Sequence, residues 1–227
     1  MSLSIVLSHL RLLLAGVPLT LELVGLALLC GLSLGCVTAL ARMSRIPVLS
    51  QLAAVYVYVI RGTPLLVQIF LIYYGLGEID FIRQSAVWPV LREEFWCAIL
   101  ALSLNSGAYT SEAIRGSIEA IDHRQIEAAI AFGMSRRTRL WHVVIPQAMR
   151  QFVPTYGNEC ISIVKASALA STITLMEVTG MARNLASKTY TPIETFAAAG
   201  LIYLVLNLVI ALVLGHAESK AAGGYSR

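Results

Sequence analysis

The stretch VPLTLELVGLALLCGLSLGCVTALA, residues 17–41, carries a single charged side chain, Glu22, in 25 positions. As an α-helix it would be about 37 Å long, more than the roughly 30 Å hydrocarbon layer of a bilayer. The rest of the 227-residue chain has the same character: 57% of its residues are hydrophobic and only 13% are charged. A soluble chain carries about 25% charged residues. Half that density is too little polar surface to cover a globule, and the mean hydropathy of +0.74 agrees. The composition therefore predicts an all-α integral membrane protein. At about 20 residues per span, the length allows six or seven spans at most. The charged stretches reduce this to five, at about 17–41, 48–76, 95–114, 152–176 and 196–215, within one transmembrane domain over 1–227. Ahead of them, Ser4, Ser8 and Arg11 recur at helical spacing against leucines, which predicts a short helix lying in the membrane interface. The second span contains Arg61-Gly62-Thr63-Pro64 and should be kinked or interrupted there. The polar, Gly-rich tail 220–227 needs no structure.

The side carrying more Lys and Arg is cytoplasmic. One side holds ten such residues and the other five, with Arg61 and Lys165 inside spans. The N-terminus is therefore expected outside and the C-terminus inside, with the polar stretch 115–151 in the cytoplasm. The net charge of +4 is spread between apolar segments, so it does not point to nucleic acid. Cys30, Cys36, Cys97 and Cys160 lack the C-x-x-C spacing of a metal or redox site. His9, His123, His142 and His216 all lie outside mid-span positions and no G-x-S-x-G occurs. Neither a catalytic residue nor a metal site is expected, and the chain does not read as an enzyme.

Within 115–151, Asp122 and Gln125 suit a helix start, and Gly133 is placed to end that helix in a left-handed conformation, giving a helix over about 123–132. Ser135 can cap a second short helix, 136–144, which Pro146 would close. From these residues alone, the stretch could be a connector resting on the membrane surface. Its spacing says more. Glu127-Ala128-Ala129, then Gly133, then Val143-Val144-Ile145-Pro146 resembles the loop of membrane subunits of ATP-binding-cassette importers, with valine and isoleucine as mild departures at two positions. The resemblance implies that Glu127, Ala128, Ala129, Gly133 and Pro146 form a coupling helix that docks on an ATPase subunit. Arg61-Gly62-Thr63-Pro64-Leu65-Leu66-Val67-Gln68 and Asn105-Ser106-Gly107-Ala108-Tyr109-Thr110 are similar to segments of the polar amino acid branch. Within it, 68–75 and 171–178 resemble an arginine importer membrane subunit, and histidine and opine importers share parts of them.

Membership would imply two ATPase subunits, a second permease subunit, an extracytoplasmic amino acid-binding protein and residence in a bacterial inner membrane. The chain has no G-x-x-x-x-G-K-[ST]. ATP would be used by the partner, and this subunit needs no cofactor of its own. A polar, basic amino acid is the expected substrate, arginine before histidine or an opine, and a passive channel is the alternative from another class.

Ionisable groups inside spans cost about 2.5–3.5 kcal/mol or more at the bilayer centre, so each is a functional candidate. On a helical wheel at about 100° per residue, Asn158, Ser162, Glu159 and Lys165 share a wedge about 120° wide. The expectation is that Glu159 meets a cationic substrate side chain while Lys165 or Arg61 meets a carboxylate or a charge on the paired subunit. The plainer alternative is that they tie helices together. Glu22 and Glu112 lie near span ends and read as structural. In several relatives an aspartate follows the matching lysine; here it is Ala166, which points to a non-identical second permease subunit carrying the fuller substrate site.

Overall fold

The computed structural model describes residues 3–222, with side-chain environments for 5–216. Its α-helices of six residues or more are α1 (Leu3–Leu13), α2 (Val17–Arg42), α3 (Pro47–Gly62), α4 (Leu65–Phe70), α5 (Glu94–Glu119), α6 (His123–Ala131), α7 (Ile145–Ala166), α8 (Val178–Thr189) and α9 (Pro192–Ala222). No strand occurs among the described residues. By length and composition, Ile5–Arg42 and Pro192–His216 are each able to cross a membrane. Two bent pairs qualify as well: Pro47–Gly62 with Leu65–Glu78, at 106°, and Arg136–Ile173 with Val178–Thr189, at 49°. The interruption expected at Gly62-Thr63-Pro64 is thus present. Thr63 and Pro64 are extended.

The centre of the molecule is the pairing of α2 with α5, which run parallel along a seam of small residues. A Cβ on Gly31 would fall 2.7 Å from the Cβ of Ser106, and one on Gly35 would fall 2.7 Å from that of Thr110. On the other side, a Cβ on Gly107 would meet Leu34 Cδ2 at 2.9 Å. Lipid tails are as apolar as leucine, so helices in a bilayer associate through close packing rather than hydrophobic exclusion, and Gly31-x-x-x-Gly35 allows that approach. Ser103 Oγ also donates to the Ala27 carbonyl at 3.4 Å. Around the seam, Leu23, Leu102, Ile163 and Ile173 are buried, bringing α7 and the turn after it into the core. Tyr156 on α7 donates to the Leu28 carbonyl at 3.4 Å.

α5 is about 39 Å long, yet it is less apolar than the candidates above because it holds Ser103, Asn105, Ser106, Thr110, Ser111 and Glu112. Most of these face other helices rather than lipid, and Ser106, Thr110 and Ser111 are fully buried.

Several expectations are corrected. The N-terminal helix is joined to the first span rather than set apart from it: a short 3-10 turn, Leu14–Gly16, carries it into α2, and it packs on α8 and α9 with Val6 and Leu13 buried. His9, also buried, is hydrogen-bonded to Thr195 at 2.9 Å. Pro146 does not end the helix started at Ser135. The turn before it, Leu140–Val144, widens to π geometry and the helix continues into α7. Widening relieves the clash between a proline ring and the carbonyl one turn back. The 152–176 segment is not uniform, since it tightens to a 3-10 helix at Ser167–Ile173 and stops at Thr174, φ 71°. The 177–191 segment, between two expected spans, contains α8. The 95–114 helix runs on to Glu119, and α9 reaches Ala222, so only 223–227 of the tail lies outside the described residues.

The close seam makes a prediction. Gly35→Val should destabilise the detergent-solubilised protein by roughly 1–3 kcal/mol through overpacking, read as a lower thermal unfolding midpoint. Gly25, where an added Cβ would meet nothing within 4 Å, should accept alanine without that loss.

Candidate functional site

Helical spacing on two elements builds the site. Asn105, Tyr109 and Glu112 recur at i, i+4 and i+7 and so share one stripe of α5. On α7, Thr155, Asn158, Glu159 and Ser162 form the facing wall. Arg61 closes it from the last turn of α3. Together these residues line a cavity of about 570 Å³. Arg61, Asn158, Glu159 and Ser162, all singled out by sequence, therefore converge. Lys165 does not: it is exposed, lies outside the lining, and has no hydrogen bond or ion pair among the described residues.

Two features give the cavity its chemistry. The first is Glu159, whose Oε1 is buried and has no partner in good hydrogen-bond geometry, the Ser106 hydroxyl of α5 being the donor beside it. Leaving such an atom poorly paired costs about 1–3 kcal/mol, and more for a charged group, so the carboxylate, with one neutral hydroxyl beside it, has acceptor capacity left for a further donor. The second is Arg61. Its guanidinium lies 4.9 Å from the centre of the Tyr109 ring and 3.8 Å from the Glu112 carboxylate. Glu112 is already engaged, however. It pairs with Arg42 from α2 and accepts from Arg115 Nη2 at 2.7 Å, while Arg115 also pairs with Glu119. Arg61 thus has only a long contact to this carboxylate and keeps donors free for the cavity.

The helix break beside Arg61 is held internally. Gln68 Nε2 donates to the carbonyls of Ile60, at 2.7 Å, and Thr63, at 3.1 Å, and reaches Thr63 Oγ1 at 2.8 Å. Its Oε1 accepts from Asn105 at 3.4 Å. Carbonyls freed by a break at membrane depth need such partners, and Gln68 links the break to the cavity wall. A second cavity of about 540 Å³ shares Arg61, Tyr109 and Glu112 and adds Arg42 and Tyr58.

Sequence reasoning missed Asn105, Tyr109 and Glu112 as a set, although their i, i+4, i+7 spacing was available. It also missed Glu177, which is fully buried. Its carboxylate caps α8 by accepting from the amides of Thr179 and Gly180, both at 2.8 Å, and accepts from Tyr203 Oη at 2.6 Å. The role is structural, joining α8 to α9.

The 115–151 connection folds largely as its local chemistry dictates. Asp122 accepts from the Arg124 amide at 2.9 Å and starts α6. The Arg124 side chain also holds the Asp122 carboxyl below its ordinary pKa. Gly133 adopts φ 72°, and the bonds Gly133 N–H to Ile130 O, 2.9 Å, and Met134 N–H to Ala129 O, 3.0 Å, complete a Schellman closure. Ser135 accepts from the Thr138 amide at 3.2 Å. Glu127 and Ala128 are exposed on α6, Ala129 is buried and Pro146 is exposed. Ile130 and Phe132 project beside them, the latter 84% exposed.

Residues 31–222 match the family model described as binding-protein-dependent transport system inner membrane component. The chain is 50% identical over 199 residues to the octopine transport system permease protein OccM of Rhizobium meliloti, covering 88% of this chain and 81% of that one. It is 49% identical over 207 residues to the nopaline transport system permease protein NocM of Agrobacterium fabrum, covering 91% and 86%. Identity to the arginine ABC transporter permease protein ArtM of Escherichia coli K12 is 44% over 176 residues, covering 77% and 78%. Among solved structures, an amino acid ABC transporter with histidines superposes with a TM-score of 0.86 at 35% identity, covering 97% of this chain and 99% of that one. The inward-facing MetNI methionine ABC transporter gives 0.68 at 17% identity with the same coverage, a likeness of fold alone.

The charge cluster yields a test of its own. Glu112→Gln removes the common partner of Arg42 and Arg115 and should cost roughly 1–3 kcal/mol, seen as a lower unfolding midpoint in detergent. Glu22→Gln, at an exposed position without an ion pair among the described residues, should leave the midpoint unchanged.

Proposed function

The chain belongs to the binding-protein-dependent transport system inner membrane component family, and from that premise we propose that it is the permease subunit of an ABC importer that carries a basic amino acid inward. The observation that carries this reading is the buried Glu159 carboxylate, with no charged partner and only the Ser106 hydroxyl beside it, in the same cavity as Arg61. An amino acid with a cationic side chain is complementary to that pair. Its guanidinium or ammonium would satisfy Glu159 and its carboxylate would meet Arg61, each through charge-assisted hydrogen bonds. Asn158, Ser162, Asn105 and Thr155 supply neutral polar groups between them. Arginine is the first candidate, given the permeases named above, with octopine, nopaline and histidine next.

In this reading the chain crosses the membrane five times, with α5 as the third span and its N-terminus outside. Asn158, Ser162 and Thr155 are exposed in the isolated chain, so the cavity is completed by a second permease subunit, proposed to be non-identical. Lys165, exposed and unpaired, faces that subunit or its charges. A separate extracytoplasmic binding protein delivers the substrate. Two ATPase subunits use the ATP, since this chain has no P-loop. They engage Glu127, Ala128, Ala129 and Gly133 on and just after α6, with Pro146 setting the start of α7.

For the site, Glu159→Gln should raise the KM for arginine uptake in reconstituted vesicles about 10- to 100-fold, the value of a lost charge-assisted pair. Unchanged arginine uptake and affinity would remove Glu159 from the pathway. For coupling, Gly133→Val forces a β-branched residue into a left-handed conformation. It should leave membrane insertion intact while lowering uptake and ATP turnover together; normal uptake would exclude the proposed docking role.

A further inference from the structure

We propose that the chain carries a binding site for an anionic phospholipid, formed by an apolar groove beside the π-turn and three arginines at its mouth. The groove, about 290 Å³, runs between the C-terminal ends of α2 and α5 and the start of α7, and is walled by Cys36, Ile114, Leu140, Val144, Ala148 and Phe152. No polar side chain in it offers a charge. Directly before Leu140, the turn Arg136–Arg139 holds Arg136, Arg137 and Arg139, with Arg136 one helical turn below Leu140 on the same face.

These arginines differ from their neighbours. Arg42, Arg61 and Arg115 converge on Glu112, and Arg124 is paired with Asp122. Arg136, Arg137 and Arg139 have no side-chain hydrogen bond or ion pair among the described residues. An apolar slot whose wall residue Leu140 directly follows a turn of three unpaired arginines matches an amphiphile with an apolar tail and an anionic head. Guanidinium binds phosphate through paired N–H donors, which favours a phosphate-bearing head. The depth agrees: Cys36 lies about 9 Å along the axis from Arg42, the end of α2. Trp141, 59% exposed next to Leu140, is a residue type enriched where bilayer meets water. An acyl chain would enter the groove between α2 and α7, and the phosphate would sit against the arginine turn.

The test is native mass spectrometry of the purified transporter complex containing this chain, incubated with equal amounts of phosphatidylglycerol and phosphatidylcholine. A basic residue near an anionic surface contributes about 1 kcal/mol, roughly a fivefold factor each. Phosphatidylglycerol should therefore be retained over phosphatidylcholine by at least about tenfold. The R136Q/R137Q/R139Q variant should bring the two within about twofold, whereas A148W, which fills the groove, should reduce retention of both. Raising the ammonium acetate concentration should weaken the wild-type preference by screening, a readout that does not depend on any variant folding. Equal retention by the wild type, or a preference that survives in the triple variant and at high salt, overturns the site. So does phosphatidylglycerol retention that appears only after the ATPase subunits are stripped away, because the arginines would then serve the protein interface.

Discussion

The close contact between α2 and α5 is the constraint on which the remaining structure depends. Gly31, Gly35 and Gly107 bring the two backbones to a separation that no larger side chain at those positions permits. In lipid this is where association energy comes from, because burying leucine against leucine gains little over leaving it against an acyl chain. The same contact lets α5 be polar. One face, with Ser103, Ser106, Gly107 and Thr110, is hidden against α2, and another, with Asn105, Tyr109 and Glu112, lines the cavities, so neither exposes its polar groups to hydrocarbon. A helix of this composition placed alone in a bilayer would be costly; packed against a glycine seam it becomes the wall of a polar cavity.

The breaks in the other long helices follow the same rule. Each interruption frees backbone groups that must be satisfied inside the protein. Between α3 and α4 the task falls to Gln68, and at the start of α8 it falls to Glu177 with Tyr203. Both are buried polar side chains that a hydropathy reading counts as interruptions of an apolar run. In the structure they are the groups that make the bends possible. The 106° turn after Gly62 redirects the chain into α4, and Arg61, in the last turn of α3, lines the cavity, where the Tyr109 ring and the distant Glu112 carboxylate hold it without saturating it.

Parts of the site are legible in the sequence because an α-helix is periodic. Asn158, Glu159 and Ser162 fall on one wedge of α7 and do line one cavity. Lys165 shares that wedge, but at about −20° from Asn158 it sits at the edge, while the cavity face covers Asn158 through Glu159 at about 0–100°. A small angular difference separates a residue that lines the cavity from one that does not, and only neighbouring helices say where that edge falls. Glu112 escapes a local reading for a related reason. Its closeness to a span end suggests an interfacial role, and Arg115 at i+3 is a local partner, but its other two arginine neighbours come from positions 42 and 61, which no local pattern relates to it. Pro146 shows the limit of a local rule: proline ends a helix unless the preceding turn widens, and here it widens.

The sequence by itself determined that the chain is helical and lipid-embedded, because apolar run length and charge density are properties of composition. It also determined the form of the 115–151 connection, because Asp122, Gly133 and Ser135 act on backbone groups within a few residues of themselves. The union of Arg61 with Glu159 in one cavity, the arginine cluster on Glu112, the docking of α1 onto α9 and the depth of the α2–α5 seam were decided only by tertiary structure. Each depends on contacts between segments far apart in the chain, and such contacts are set by which surfaces can approach most closely rather than by any residue's own preference.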